Sequence, residues 1–187
     1  MNKYMIFQQL FDEKSSTYTY VISSGEGREA LIIDPVIEHT EKYIKILENL
    51  KLKLVKVIDT HIHADHITAL NELNKRTSGA RVMGENSKSE VIDLKIKDDE
   101  KVKIENIELK AMYTPGHTDC SYSYLMNDRV FTGDTLLING TGRTDFQNGS
   151  SYDAYESLFN KLLKLPEKTL VYPAHDYNGK KFSTIEN

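Results

Sequence analysis

The stretch Thr60-His61-Ile62-His63-Ala64-Asp65-His66 comes one residue after the apolar run Leu54-Val55-Lys56-Val57-Ile58. The run reads as a buried strand, and the polar block after it as a loop anchored on that strand. In a regular strand His61, His63 and Asp65 would share one face and His66 the other, whereas a loop turns all four toward one cavity. Imidazole nitrogens and carboxylate oxygens are the ligands that a borderline or hard divalent metal selects. Two further blocks carry histidine: Gly116-His117-Thr118, in a turn marked by Pro115-Gly116, and Pro173-Ala174-His175. Asp134 follows Gly133 at the end of another apolar strand, an expensive place for a carboxylate without a cation beside it. Five of the six histidines lie in these blocks, so a metal site is expected there. His39, alone beside Thr40, is read as an ordinary polar residue.

Outward from the first block, the chain reads as strands, then helix, then strand, with the order repeated once. Ile6–Leu10, Thr17–Ile22 and Ala30–Ile33 are short strands separated by turn-forming stretches such as Ser23-Ser24-Gly25-Glu26-Gly27. Tyr43, Ile44, Leu47 and Leu50 recur at helical spacing. Ala69 to Lys75 reads as a short helix, and Arg81–Met83, Ile107–Met112 and Val130–Thr132 as strands. A second clear helix starts near Ser151, with Ser150 and Asp153 as a capping pair and Tyr155, Leu158, Phe159, Leu162 and Leu163 on one side. Thr169–Tyr172 is the last strand and delivers His175. Two packed mixed sheets with helices outside, an α+β architecture, satisfy this order within one domain spanning 1–187. Every ligand block then sits at a strand end or just after it, where a rigid scaffold lets distant residues converge.

Composition narrows the functional classes. A length of 187 residues suits one domain with a substantial core. The net charge of −4 lacks the basic footprint of a nucleic-acid binder. The densest charged run, Lys95-Ile96-Lys97-Asp98-Asp99-Glu100-Lys101, mixes signs and reads as a solvated surface segment. No apolar run approaches a bilayer's thickness, and Met1-Asn2-Lys3-Tyr4-Met5 leads into strand-like sequence without a signal-peptide pattern, so a cytoplasmic location without membrane contact is expected. Cys120 is the single cysteine, which excludes an intramolecular disulfide and a Cys-rich zinc finger. It is read as a small buried hydrophobe.

The block Thr60–His66 resembles the signature of the metallo-β-lactamase superfamily, whose fold is an αββα sandwich. Gly116-His117, Gly133-Asp134 and His175 match its later metal-binding positions in order. Within the superfamily, THIHADHI at 60–67, GRTDFQ at 142–147, PAHDY at 173–177 and Asp34-Pro35 resemble the persulfide dioxygenases, also called sulfur dioxygenases of the ethylmalonic-encephalopathy protein type. That resemblance implies oxidation of glutathione persulfide by O2 to sulfite and thiol, in sulfur metabolism and sulfide detoxification. It implies one Fe(II) per chain held by His61, His117 and Asp134. Such a triad leaves three positions of octahedral iron open, enough for a persulfide sulfur and O2 side by side. His63, Asp65, His66 and His175 resemble groups that hydrogen-bond the ligands or bound water, or that hold a second metal in dinuclear relatives. Tyr177 is placed to bind substrate or to pack. Arg143 either braces its loop on Asp145 or meets a substrate carboxylate, and bracing is the safer reading.

The rival enzymatic reading is a glyoxalase-II-like thioester hydrolase using two metals, zinc among them, with all seven His and Asp positions as ligands. GRTDFQ and PAHDY favour the dioxygenase. A domain that binds metal without turnover is the non-enzymatic reading, and the intact ligand positions argue against it. The chain ends at Asn187, soon after PAHDY, where persulfide dioxygenases continue. On that reading the persulfide is carried by glutathione or by another thiol. The expected partners are thus a persulfide and O2, and a homodimer is compatible with the reading.

Overall fold

Alternation of inward and outward side chains along short β-branched and aromatic segments builds two six-stranded sheets. The computed structural model describes residues 5–187. Residues 1–4, on which the reading of an N-terminus without a leader rests, lie outside the described residues. The first sheet runs in chain order through β1 (Ile6–Asp12), β2 (Thr17–Ser23), β3 (Glu29–Ile33), β4 (Lys53–Ile58), β5 (Ala80–Gly84) and β6 (Leu94–Ile96). Its β1–β2–β3 part is antiparallel and its β3–β4–β5–β6 part parallel. The second sheet contains β7 (Lys101–Ile104), β8 (Ile107–Tyr113), β9 (Tyr122–Met126), β10 (Arg129–Gly133), β11 (Leu170–Pro173) and β12 (Ser183–Thr184), in the spatial order β12-β11-β10-β9-β8-β7. Only its β10–β11 pair is parallel.

Period two sorts the core into layers. Tyr20, Ile22, Leu31, Ile33 and Ile58 point between the sheets, where they meet Leu109, Ala111, Tyr122, Tyr124 and Phe131. Val21, Ala30, Ile32, Leu54 and Val57, their neighbours along the strands, face the other way. There they pack under α1 (Thr40–Asn49) and α2 (Leu70–Thr77) through Tyr43, Leu47, Leu70 and Leu73. On the far side of the second sheet, Met112, Val130 and Val171 meet Leu158 and Leu162 of α3 (Ser151–Asn160) and the 3-10 turn after it (Leu162–Lys164). The result is the expected helix–sheet–sheet–helix sandwich. Among the described residues, no helix is long and apolar enough to cross a membrane.

The structure adds four strands that hydrophobic pattern alone does not give: β6, β7, β9 and β12. In β9 the polar Ser123 breaks the apolar run, but its hydroxyl is paired with that of Thr114 at 2.8 Å inside the sheet. The charged run 95–101 is split between the end of β6 and the start of β7, and of its residues only Ile96 is buried. Helix α3 is capped as expected, Ser150 Oγ accepting from the Asp153 amide at 3.1 Å. Its packing face differs in part: Leu158, and Leu162 in the turn after it, pack inward as expected, but Ala154 and Ser157 turn inward with them while Tyr155, Phe159 and Leu163 are exposed. Small residues are needed there because a Cβ on Gly116 would come within 2.4 Å of Ala154 Cα.

Leu109 is wholly buried between the sheets. Leu109→Ala is expected to cost about 2–5 kcal/mol of stability. In urea titrations this appears as a lower midpoint at an unchanged slope.

Candidate metal centre

Four strands end at one edge of the sandwich, and each hands over to a loop carrying a charged or imidazole side chain. Strand β3 leads to Asp34, β4 to residues 59–66, β10 to Asp134 and β11 to His175, while His117 lies in the turn between β8 and β9. The two sheets are tied together at this edge. The Tyr18 amide donates to the Ala174 carbonyl at 2.7 Å and the Tyr122 amide to the Thr60 carbonyl at 2.9 Å, while within the second sheet the Ala174 amide donates to the Gly133 carbonyl at 2.9 Å. Gly133, at φ 52°, lets the end of β10 press against the metal loop, since a Cβ there would sit 2.6 Å from Thr60 Oγ1.

Each ring is oriented by the acceptor that its other nitrogen finds. The Thr60 hydroxyl lies 3.0 and 3.1 Å from the two Asp34 oxygens, which can only accept. Its lone pair therefore accepts from His61 Nδ1 at 2.9 Å, leaving Nε2 of His61 as a bare lone pair. His117 Nδ1 donates to the Arg143 carbonyl at 2.9 Å and His175 Nδ1 to the Ser16 carbonyl at 3.0 Å, with the same consequence for their Nε2 atoms. His117 Nε2 stands 3.4 Å from Asp134 Oδ2, and His61 Nε2 stands 3.9 Å from the same oxygen. One ligand atom from each of His61, His117 and Asp134 lies within 4.8 Å of the others.

His61 Nε2 and Asp134 Oδ1 are both buried without a hydrogen-bond partner among the described residues. Buried polar atoms left so are costly, and a divalent cation between them satisfies both. Electrostatics agree. Burial, then the neighbouring His63, His117 and His175, hold the His61 imidazole well below its ordinary range, so it is neutral and able to ligate. Burial pushes the Asp134 carboxyl up, which marks a charge short of a partner.

The other residues singled out from the sequence surround this trio. His175 Nε2 is 3.4 Å from Asp134 Oδ1 and 3.5 Å from Asp65 Oδ2. Burial pushes the Asp65 carboxyl up, but the His66 Nδ1 hydrogen bond to Oδ2 at 2.8 Å, together with the charges of His66, His63 and His175, holds it well below its usual range. His63 is turned the opposite way from the others: Nε2 donates to Asp34 Oδ1 at 3.2 Å, and Nδ1, 3.9 Å from Asp65 Oδ1, has no hydrogen-bond partner among the described residues. Burial opposes its charge, but Asp34 prevails and lifts it to about 9. Arg143 is forked onto Asp145 at 2.8 and 3.0 Å and lies over the Phe146 ring. Tyr177 is 74% exposed, its ring parallel to that of His175 at 6.1 Å. A cavity of about 390 Å³ opens over His117, Asp134 and His175 between Leu137, Phe146 and Tyr177. Cys120 is buried and outside it.

Two residues that matter here carry no role in the sequence reading. Thr60 was only part of a motif, and Asp34 only part of a resemblance. A signal is present for Asp34, which follows an almost wholly buried strand as Asp134 does. His39 is paired with Asp12 at 2.8 Å, away from the trio.

Comparison with known proteins bears on this geometry. The family model of the metallo-beta-lactamase superfamily matches residues 13–93 and 77–175. Mouse "Persulfide dioxygenase ETHE1, mitochondrial" is 39% identical over 184 residues, covering 97% of this chain and 72% of the mouse protein. The crystal structure of ETHE1 from Myxococcus xanthus superposes with a TM-score of 0.95 at 47% identity, over 97% of this chain and 80% of that one. A hydroxyacylglutathione hydrolase of Dictyostelium discoideum is more distant, 32% identical over 87% of this chain and 63% of its own length.

Thr60→Val keeps the shape of the side chain while removing both the donor to Asp34 and the acceptor for His61. Metal affinity is expected to fall about 10–100-fold, read by competition with a chelator, with the far-ultraviolet circular dichroism unchanged.

Proposed function

We propose that this chain, which belongs to the metallo-beta-lactamase superfamily and within it to the persulfide dioxygenases, works at a single Fe(II) held by His61, His117 and Asp134. Its activity is persulfide oxidation, as the homologues at 39% and 47% identity indicate. The substrate we assign is glutathione persulfide or a related thiol persulfide, converted with O2 and water to sulfite and thiol. The supporting observation is the trio itself: two imidazoles with lone pairs already aimed and one carboxylate, the donor set of non-haem Fe(II) oxygenases. When bound, the iron supplies one-electron chemistry that lets a closed-shell persulfide react with triplet O2.

The chain's own groups do the rest. Thr60 and the Arg143 carbonyl keep the protons of His61 and His117 on Nδ1, so neither ring turns over to present an N–H to the site. His175 Nε2, between Asp134 and Asp65, is the place where a proton is shared with those carboxylates as sulfite forms. Leu137 and Phe146 give the cavity apolar walls that shield the sulfur end of the substrate. Tyr177 at the mouth flanks the passage of the thiol carrier. The Arg143 fork on Asp145, through Nε and Nη2, braces the loop.

A dinuclear thioester hydrolase is the second reading. Its specific support is that His63 Nδ1 and His66 Nε2 are also buried without a hydrogen-bond partner among the described residues, and that His63, Asp65 and His66 offer ligand atoms within 4.8 Å of one another.

Protein purified without oxygen decides between the two. One iron per chain is expected, with O2 consumed on adding glutathione persulfide and no hydrolysis of S-lactoylglutathione. Two zinc ions per chain with thioester hydrolysis alone would overturn the dioxygenase reading. Alanine at His61, His117 or Asp134 is expected to abolish iron binding and O2 uptake together, and turnover retained in any one of them counts against the ligand set.

A further inference from the structure

The loop 141–149 between β10 and α3 makes an unusual set of contacts. The Gly142 amide donates to the Asp134 carbonyl at 2.8 Å, and the Arg143 carbonyl anchors His117. Gln147 Nε2 donates to the carbonyl of Ile62, the residue between His61 and His63, at 3.1 Å. Asn148 Nδ2 reaches Asp119 at 3.2 Å. One short strap thus touches the segments carrying all three proposed ligands. It also supplies Thr141, Gly142, Arg143, Phe146 and Gln147 itself to the cavity wall.

Its backbone is strained where it turns. Gln147 and Asn148 have φ values of 47° and 57° in succession. Asparagine tolerates that left-handed conformation, but glutamine has no local reason to adopt it. Glycine would serve a bare turn better. A glutamine held there implies that its side chain contributes something the turn alone does not need.

We propose that Gln147 is a positioning residue for persulfide oxidation: its amide, bonded to the Ile62 carbonyl, pins the strap to the metal loop and so holds the Phe146 wall of the substrate cavity in place. This rests on the persulfide reading for its kinetic consequence, though not for its mechanical one. With the bond broken the part of the strap from Thr144 to Asn148 loosens and the cavity loses its preformed shape, while the Gly142 amide on Asp134 and the Arg143 carbonyl on His117 keep the metal trio in place.

Two variants isolate the bond. Gln147→Glu keeps the side-chain shape and removes the donor. Gln147→Gly relaxes the backbone and removes the bracket. In the iron-loaded enzyme both are expected to raise the KM for glutathione persulfide about fivefold to tenfold, the size of one net hydrogen bond. The kcat is expected to stay near that of the unmodified protein and iron content to be unchanged. Independently of turnover, cleavage by trypsin after Arg143 and by chymotrypsin after Phe146 is expected to accelerate in both. Unchanged KM together with unchanged cleavage would overturn the proposal. A parallel loss of iron and kcat would also overturn it, by showing that Gln147 serves the metal loop and not the wall. If the unmodified protein oxidises no persulfide, the functional reading fails, and the cleavage rates alone decide the role of Gln147.

Discussion

One buried carboxylate holds this edge of the sandwich together. Asp34 receives the Thr60 amide at 2.7 Å, the Thr60 hydroxyl and His63 Nε2, all within the loop after β4. Its own amide donates to the Ile58 carbonyl at 2.8 Å, and its carbonyl accepts from Thr19. Taking a carboxylate out of water costs several kcal/mol, and the cost is tolerated because donors surround the group. The bond to Thr60 then decides which nitrogen of His61 carries the proton, so the coordination chemistry is set two bonds away from any ligand. Asp34 adopts φ 50° to do this, with Pro35 fixing the next residue.

The fold was legible wherever hydrophobic period and turn chemistry agreed. Val21 and Ile22, or Ile32 and Ile33, read as strand residues, and they lie in strands buried on both faces. The helix near Ser151 was visible through its cap, although the face it buries was not. Tyr155 and Phe159 look like core from their spacing, yet close approach to the His117 turn demands Ala154 and Ser157 instead, and no local pattern reports a distant backbone. Strand β9 was hidden for a similar reason, since Ser123 is polar only until Thr114 answers it across the sheet.

The ligand blocks were legible because chemistry concentrates there: four imidazole or carboxylate groups crowded into His61–His66 would repel or bury one another at a cost unless a cation gathered them. What the sequence could not carry is orientation. His63 and His61 are two residues apart and of one type, yet they present opposite nitrogens, because one meets Asp34 directly and the other meets it through Thr60. Carbonyl acceptors such as those of Ser16 and Arg143 are invisible in any sequence, since every residue has one and only the fold selects which is used.

The near-contact of Gly116 with Ala154 has a consequence for how this surface helix tolerates change. Residue 154 has no chemistry of its own, but its methyl group lies 2.6 Å from where a Cβ of residue 116 would stand. Mutational freedom along α3 is therefore uneven: Tyr152 or Tyr155 can be exchanged for many residues, whereas a single added methylene at 154 would be transmitted through the turn to the imidazole of His117.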